Sequence, residues 1–257
     1  RNDQAQAVAD AAKAITGVAS AELGDKTTEF TKINVVLDAE SQSDEAYAIL
    51  GNLRDAVKKV DGADALVGGQ DAQALDVKNA YAHDQGLVIP MILALVFIVL
   101  VLLLRALVAP VLLLATVVAS FFASMGLGWL LFTNVFGFAG LDLSVFLYSF
   151  LFLVALGVDY NIFLVTRAKE EAAHLGVKQG MIKALSSTGG VITSAGILLA
   201  AVFAVLGVLP LVALAQIGVI VCIGVLLDTL LVRTVIVPAL GFMTKKKFFW
   251  PARGYKN

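Results

Sequence analysis

The sequence predicts an all-α polytopic membrane bundle of five transmembrane helices, preceded by a small N-terminal α+β domain outside the cytoplasm. Three observations predict it. Of 257 residues, 59% are hydrophobic and 15% charged, with mean hydropathy +0.88, whereas soluble domains carry about 25% charged residues. Five windows, near 87–104, 108–132, 143–166, 189–208 and 211–243, reach the ~20 mainly apolar residues that a spanning helix needs. Charge also divides sharply near Gly86: residues 1–86 hold 8 Lys/Arg against 15 Asp/Glu, and residues 87–257 hold 11 against 5. An acidic block joined to a basic, apolar one indicates two compartments and argues against nucleic-acid binding.

The first block, residues 1–86, opens on a helical pattern: Ala5, Val8, Ala9, Ala12 and Ile15 share one face. Val18–Leu23 and the β-branched run Thr31–Asp38 read as strands. Ser43 is placed to cap a helix whose first turn carries Asp44 and Glu45, where the helix dipole favours anions. That helix puts Ala46, Ile49, Leu50, Leu53, Val57 and Val60 on one face. Ala63–Val67 reads as a third strand closed by Gly68-Gly69, and a last helix starts near Asp71. The order α-β-β-α-β-α is a small sandwich with one thin core. Its carboxylates are scattered and form no acid/base pair.

Residues 87–243 form the membrane block and 244–257 a basic tail. Lys and Arg in short loops set orientation. Arg105, then Arg167, Lys169, Lys178 and Lys183, then Lys245, Lys246, Lys247, Arg253 and Lys256 belong on the cytoplasmic side, while the connections near 133–142 and 208–212 carry no Lys or Arg. Five spans thread through this pattern without conflict, leaving residues 1–86 outside and the C-terminus in the cytoplasm. Because that outer block needs an earlier export signal or span to reach its side, the chain is expected to be the C-terminal piece of a longer protein. The stretch 168–188 is expected to lie as a helix on the cytoplasmic surface.

Ionisable residues inside spans are costly and mark function by default. Asp159 stands eight residues before Arg167, about 12 Å from that edge of a core about 30 Å thick. A carboxyl there is costly as an anion, so taking up and releasing a proton is the chemistry expected of it, with the neighbouring Tyr160 hydroxyl as a relay. Asp228 and Arg233 share the last span; five residues is about 500° of α-helix, so they are not expected to stack. Arg233 is expected to reach toward the cytoplasm and Asp228 to face the bundle. Small residues, Ser120, Ser124, Gly126 and Gly128 in one span and Gly189, Gly190, Ser194 and Gly196 in another, permit close helix contact. No cofactor or metal is expected: the single Cys222 lies in an apolar run, His83 and His174 stand far apart, and no phosphate-binding loop is present.

Three segments resemble the second half of transporters of the MmpL type, within the resistance-nodulation-division superfamily: GVDYNIFLVTRAKEE (Gly157–Glu171), TGGVITSAGILLA (Thr188–Ala200) and IGVIVCIGVLLDTLLVRTVIVPAL (Ile217–Leu240) with its basic tail and Trp250-Pro251. The resemblance covers the membrane block, most specifically at Gly157–Glu171. It implies a bacterial plasma-membrane exporter of lipids, lipid conjugates or hydrophobic compounds, driven by the proton-motive force and built of two six-helix repeats, each with a porter domain. Asp159 and Tyr160 then match one aspartate-tyrosine relay pair, and residues 1–86 part of an extracytoplasmic porter domain. The partners implied are the N-terminal half of the same protein, a lipid or hydrophobic substrate and membrane lipids. Protonation of Asp159 is expected to shift the packing of central helices and to act on the outer domain through the helix leading into the first span. Two related readings stay open, a SecF-like subunit and a lipid-sensing membrane domain of the same superfamily. A remote one is an intramembrane aspartyl protease using Asp159 and Asp228, which would require the two carboxyls to meet.

Overall fold

The computed structural model describes residues 4–138 and 140–251; Arg253 and Lys256 of the basic tail lie outside the described residues. It divides into two compact units, residues 1–83 and 84–257.

In the first unit, α1 (Ala5–Lys13) is followed by an antiparallel hairpin of β1 (Val18–Lys26) and β2 (Thr31–Leu37), with Val18 opposite Leu37 and Leu23 opposite Ile33. The Ser43 hydroxyl accepts the Ala46 N–H at 3.1 Å and starts α2 (Asp44–Lys58). The predicted apolar face of α2 is the buried one: Ala46, Ile49, Leu50, Leu53 and Val57. These residues pack with Val8 and Ala12 of α1 and with Ile33, Val35 and Leu37 of β2. The start of α3 (Gln70–Leu104) is held here by Arg54, whose Nη2 donates to Asp76 Oδ2 at 2.8 Å, and by Lys78, which reaches Asp44 at 2.7 Å. Ala63–Val67, expected as a third strand, joins no sheet among the described residues.

Five helices of the chain are long and apolar enough to cross a membrane: Gln70–Leu104, Val108–Phe136, Leu143–Leu175, Val177–Leu206 and Val212–Phe249. The molecule is a multi-pass membrane protein. Within the second unit, α4 (Val108–Leu131), α5 (Leu143–Leu175), α6 (Val177–Leu206) and α7 (Val212–Leu227) pack around a core of Phe121, Leu153, Val158, Ile220 and Val225. Two π-helical stretches extend spans, Phe132–Phe136 after α4 and Asp228–Ile236 between α7 and α8 (Val237–Thr244). The loop before α5 is clasped by Gln216: its Oε1 accepts the Asp142 N–H at 2.9 Å and its Nε2 donates to Gly140 O at 2.8 Å.

The stretch 168–188 differs from expectation. It is no separate surface helix but the joined ends of α5 and α6, which turn on Gly176 alone, at φ +82°. Glu171 closes this hairpin, accepting Arg167 at 2.7 Å and Lys183 at 2.8 Å. Gly180 permits the close approach: a Cβ there would sit 2.5 Å from the Ala172 backbone nitrogen. At the same end, Lys169 Nζ donates to Leu104 O at 2.6 Å and the Leu107 N–H to Trp250 O at 2.7 Å. The described parts of the three basic stretches therefore gather at one end of the bundle.

Candidate functional site

The bundle interior holds one charged cluster, built where α5 meets the π-helical stretch Asp228–Ile236. α7 leads into that stretch, and Asp228 is 6% and Arg233 1% exposed. An i→i+5 hydrogen-bond pattern widens the turn so that residues five apart lie almost one above the other. The expected divergence of Asp228 and Arg233 assumed α-helical geometry and does not hold here: both face the bundle, and Arg233 is buried rather than reaching for the membrane edge. Stacking places a carboxylate and a guanidinium one turn apart on the same inward face.

Asp228 lies against α5 at Gly157. A Cβ on Gly157 would stand 2.7 Å from Asp228 Oδ2, so only glycine leaves room for the carboxyl. The Ser120 hydroxyl of α4 borders the same carboxyl but donates its single proton to Val117 O at 3.0 Å. Both Asp228 oxygens are therefore without a hydrogen-bond partner among the described residues. The three guanidinium nitrogens of Arg233 share that condition. The guanidinium carbon instead stands 5.8 Å from the centre of the Tyr160 ring, within the range of a cation–π contact. Asn161, the next residue of α5, is 2% exposed and its amide nitrogen also has no partner among the described residues. Buried polar groups are ordinarily paired, so this concentration in an apolar bundle sets the site apart from its surroundings.

Asp159 sits elsewhere on α5. It belongs to a stripe at helical spacing, with Tyr148, Phe152 and Phe163, that is exposed in this chain. Burial of a carboxyl inside a span, expected at Asp159, falls on Asp228. Two residues past Gly157 is about 200° around the helix, so Asp159 points away from the carboxyl that Gly157 touches. No hydrogen bond joins Asp159 to Asp228 among the described residues, and the geometry assembles no aspartyl dyad. Tyr160 lies between the two environments, beside Asp159 in sequence and against Arg233 in space. Sequence reasoning singled out all four of these residues but not Asn161 or Gly157 as parts of the site. The signal available for Gly157 was its position one turn before Asn161 on the helix that carries Asp159. Among the described residues no group of three or more His, Cys, Asp or Glu could hold a metal ion.

The MMPL family model matches residues 2–257. The chain is 54% identical over 222 residues, 86% of its length, to membrane protein SCO0839 of Streptomyces coelicolor. It is 39% identical over 242 residues, 90% of its length, to the apo-petrobactin exporter of Bacillus anthracis. It is 41% identical over 192 residues, 74% of its length, to MmpL12 of Mycobacterium tuberculosis, named as a transport protein. The chain spans 32%, 32% and 16% of the lengths of these three relatives. Its five apolar helices, its buried charges and this match over nearly every residue agree: the chain belongs to the MMPL family.

Proposed function

We propose that this chain is the C-terminal membrane part of an exporter, and that protons moving down their gradient through its intramembrane polar cluster drive the transport. The observation that carries the reading is the buried Arg233 against Tyr160, one residue from Asp159. A cation held in an apolar interior responds to every change of charge near it, because the local dielectric is low. Asp159 takes up and releases the proton, and Tyr160 links that carboxyl to the Arg233–Asp228 pair. The charge state of Asp159 thereby biases the packing of α5 against the last span. The gathering of basic stretches at one end of the bundle supports a cytoplasmic placement of that end, with residues 1–86 outside.

The exposed stripe of α5 supports the same reading. Tyr148, Phe152 and Phe163 suit lipid, but a carboxylate among them at that depth does not. Helices from the rest of the polypeptide cover that face and complete the path on the other side of Asp159. The cargo is a lipid, a lipid conjugate or another hydrophobic compound; the names of the relatives support export, and one of them is an exporter of apo-petrobactin. No part of this role requires covalent catalysis.

The test is proton flux and export measured together in vesicles holding the full-length protein, wild type against Asp159→Asn. Loss of both in the variant is the expected result. Unchanged flux and export would make Asp159 a packing residue and sink the mechanism.

A further inference from the structure

The first unit has a gap in its sheet. β2 pairs with β1 along one edge only. Its other edge borders a cavity of about 900 Å³, to whose lining β1 contributes no residue. Ile33 and Val35 of β2 form one wall, Leu53 of α2 and Val8 of α1 the floor, and Ala65 and Val67 the far wall. Protein interiors are close-packed, with few voids larger than a water molecule, so a cavity of this size beneath a two-stranded sheet points to a missing element.

The far wall has the pattern of a strand without the pairing. Along Ala63–Gly68 the side chains alternate between half-buried and exposed. Ala63, Ala65 and Val67 pack on the core while Leu66 is 95% exposed. The run nevertheless joins no sheet among the described residues.

Chain direction says what fits between the walls. α2 carries the chain from β2 across to Ala63–Gly68, a crossover that leaves the two running parallel with room for one strand between them. α1 makes the corresponding crossover into β1. A strand in the gap that led into α1 would run parallel to β1 and antiparallel to both of its neighbours. The result is the β-α-β-β-α-β arrangement of the split βαβ fold.

We propose that in the complete protein the gap is filled by a β-strand of the same polypeptide that leads directly into α1, giving a four-stranded antiparallel sheet. Ala5, in the first turn of α1, borders the cavity, so a strand ahead of α1 reaches it through a connection of about 2–6 residues. The relatives supply the length: the chain spans 32% of SCO0839 and 32% of the apo-petrobactin exporter. The strand is about 5–6 residues long, carries apolar side chains at alternate positions facing α1 and α2, and has no proline at its centre.

The test is amide hydrogen exchange on the full-length protein in lipid nanodiscs, followed in peptides covering Ile33–Leu37 and Ala65–Gly68. It is compared with a full-length variant in which the ~10 residues ahead of Arg1 become a Gly-Ser repeat, a replacement sized to the longest common strands. Wild-type exchange at least ~10-fold slower than in the variant, with α2 protected in both, is the expected result. Fast exchange in both proteins means an open edge and overturns the proposal. Equal protection in both means that another segment or a second copy fills the gap, and overturns it as well. Should the variant unfold α2, cysteine cross-linking in otherwise native protein decides: Val35→Cys forms an intrachain disulfide with a cysteine scanned through the preceding segment, or the strand is not there. Neither readout depends on proton flux or export.

Discussion

The guanidinium of Arg233 packs over the ring of Tyr160, 5.8 Å from its centre, although the two residues lie 73 positions apart on different spans. The contact joins the helix carrying Asp159 to the helix carrying Asp228, and it distinguishes two roles of one side chain. The Tyr160 ring face holds the cation; the hydroxyl can carry a proton.

Tyr160→Phe keeps the face and removes the hydroxyl, whereas Tyr160→Leu removes both. In full-length protein, Tyr160→Phe is expected to leave the melting temperature within about a degree of wild type while slowing proton-coupled export. Tyr160→Leu is expected to lower both, with a stability loss of about 1–2 kcal/mol from the desolvated cation–π contact. Thermal unfolding in detergent alongside vesicle export separates the two effects; identical behaviour of the variants would show that the ring contact contributes nothing.

Gly157→Ala places a methyl group where the Asp228 carboxyl stands, 2.7 Å from Oδ2. A destabilisation of about 1–3 kcal/mol is expected from overpacking. Gly189→Ala is the control, since a Cβ there meets nothing within 4 Å, and it should be neutral or slightly stabilising by the higher helix propensity of alanine. The pair is compared by thermal unfolding, and equal melting temperatures would remove the close approach of α5 to the last span.

Much of the architecture was legible because its signals are local. Five spans follow from hydrophobic runs, and the start of α2 follows from Ser43, whose side chain needs only the next turn to act. Pairings across the chain were not legible. Ala63–Val67 has the alternation of a strand, but alternation cannot say whether a neighbour is present to bond it. The α5–α6 hairpin was read as a surface helix because its charges look solvated, whereas Glu171 joins Arg167 to Lys183 across the turn. At the site, the residue types were legible and their facing was not. A π-helical stretch leaves no compositional mark, and an α-helical rotation applied to Asp228 and Arg233 sends them to different faces.

Gly180→Ala tests the hairpin. The added carbon would meet backbone, 2.5 Å from Ala172 N and 2.8 Å from its Cα, and backbone cannot rotate aside as a side chain can. A loss of about 1–3 kcal/mol is expected, with faster proteolysis near Gly176 as the readout; wild-type proteolysis would show that the helices tolerate separation there.

Acid should weaken the first unit through Asp44. The hydrogen bond from Lys78 at 2.7 Å, and then its charge, hold the Asp44 carboxyl below the ordinary carboxylate range. A lowered folded-state value means that the unfolded chain binds the proton more readily. The pair's contribution is therefore complete above the ordinary value of about 3.9 and fades as pH falls through the lowered one. Asp44→Asn should melt slightly earlier than wild type at pH 7, and the difference should vanish below about pH 3. A gap between the two melting curves that is independent of pH would assign the effect to helix capping instead.

The π-helical stretch makes chain length, rather than residue type, the quantity that sets the inner face of the last span. A π turn amounts to one surplus residue in an otherwise α-helical ladder. Removing a single lipid-facing leucine, Leu230 or Leu231, would let the ladder close as α-helix and swing Arg233 by about 100° relative to Asp228. Every polar side chain would survive such a deletion, yet the guanidinium would no longer face Tyr160. A one-residue shortening of this span is thus more disruptive than most replacements within it, and the spacing of Asp228 from Arg233 is itself a functional dimension of the protein.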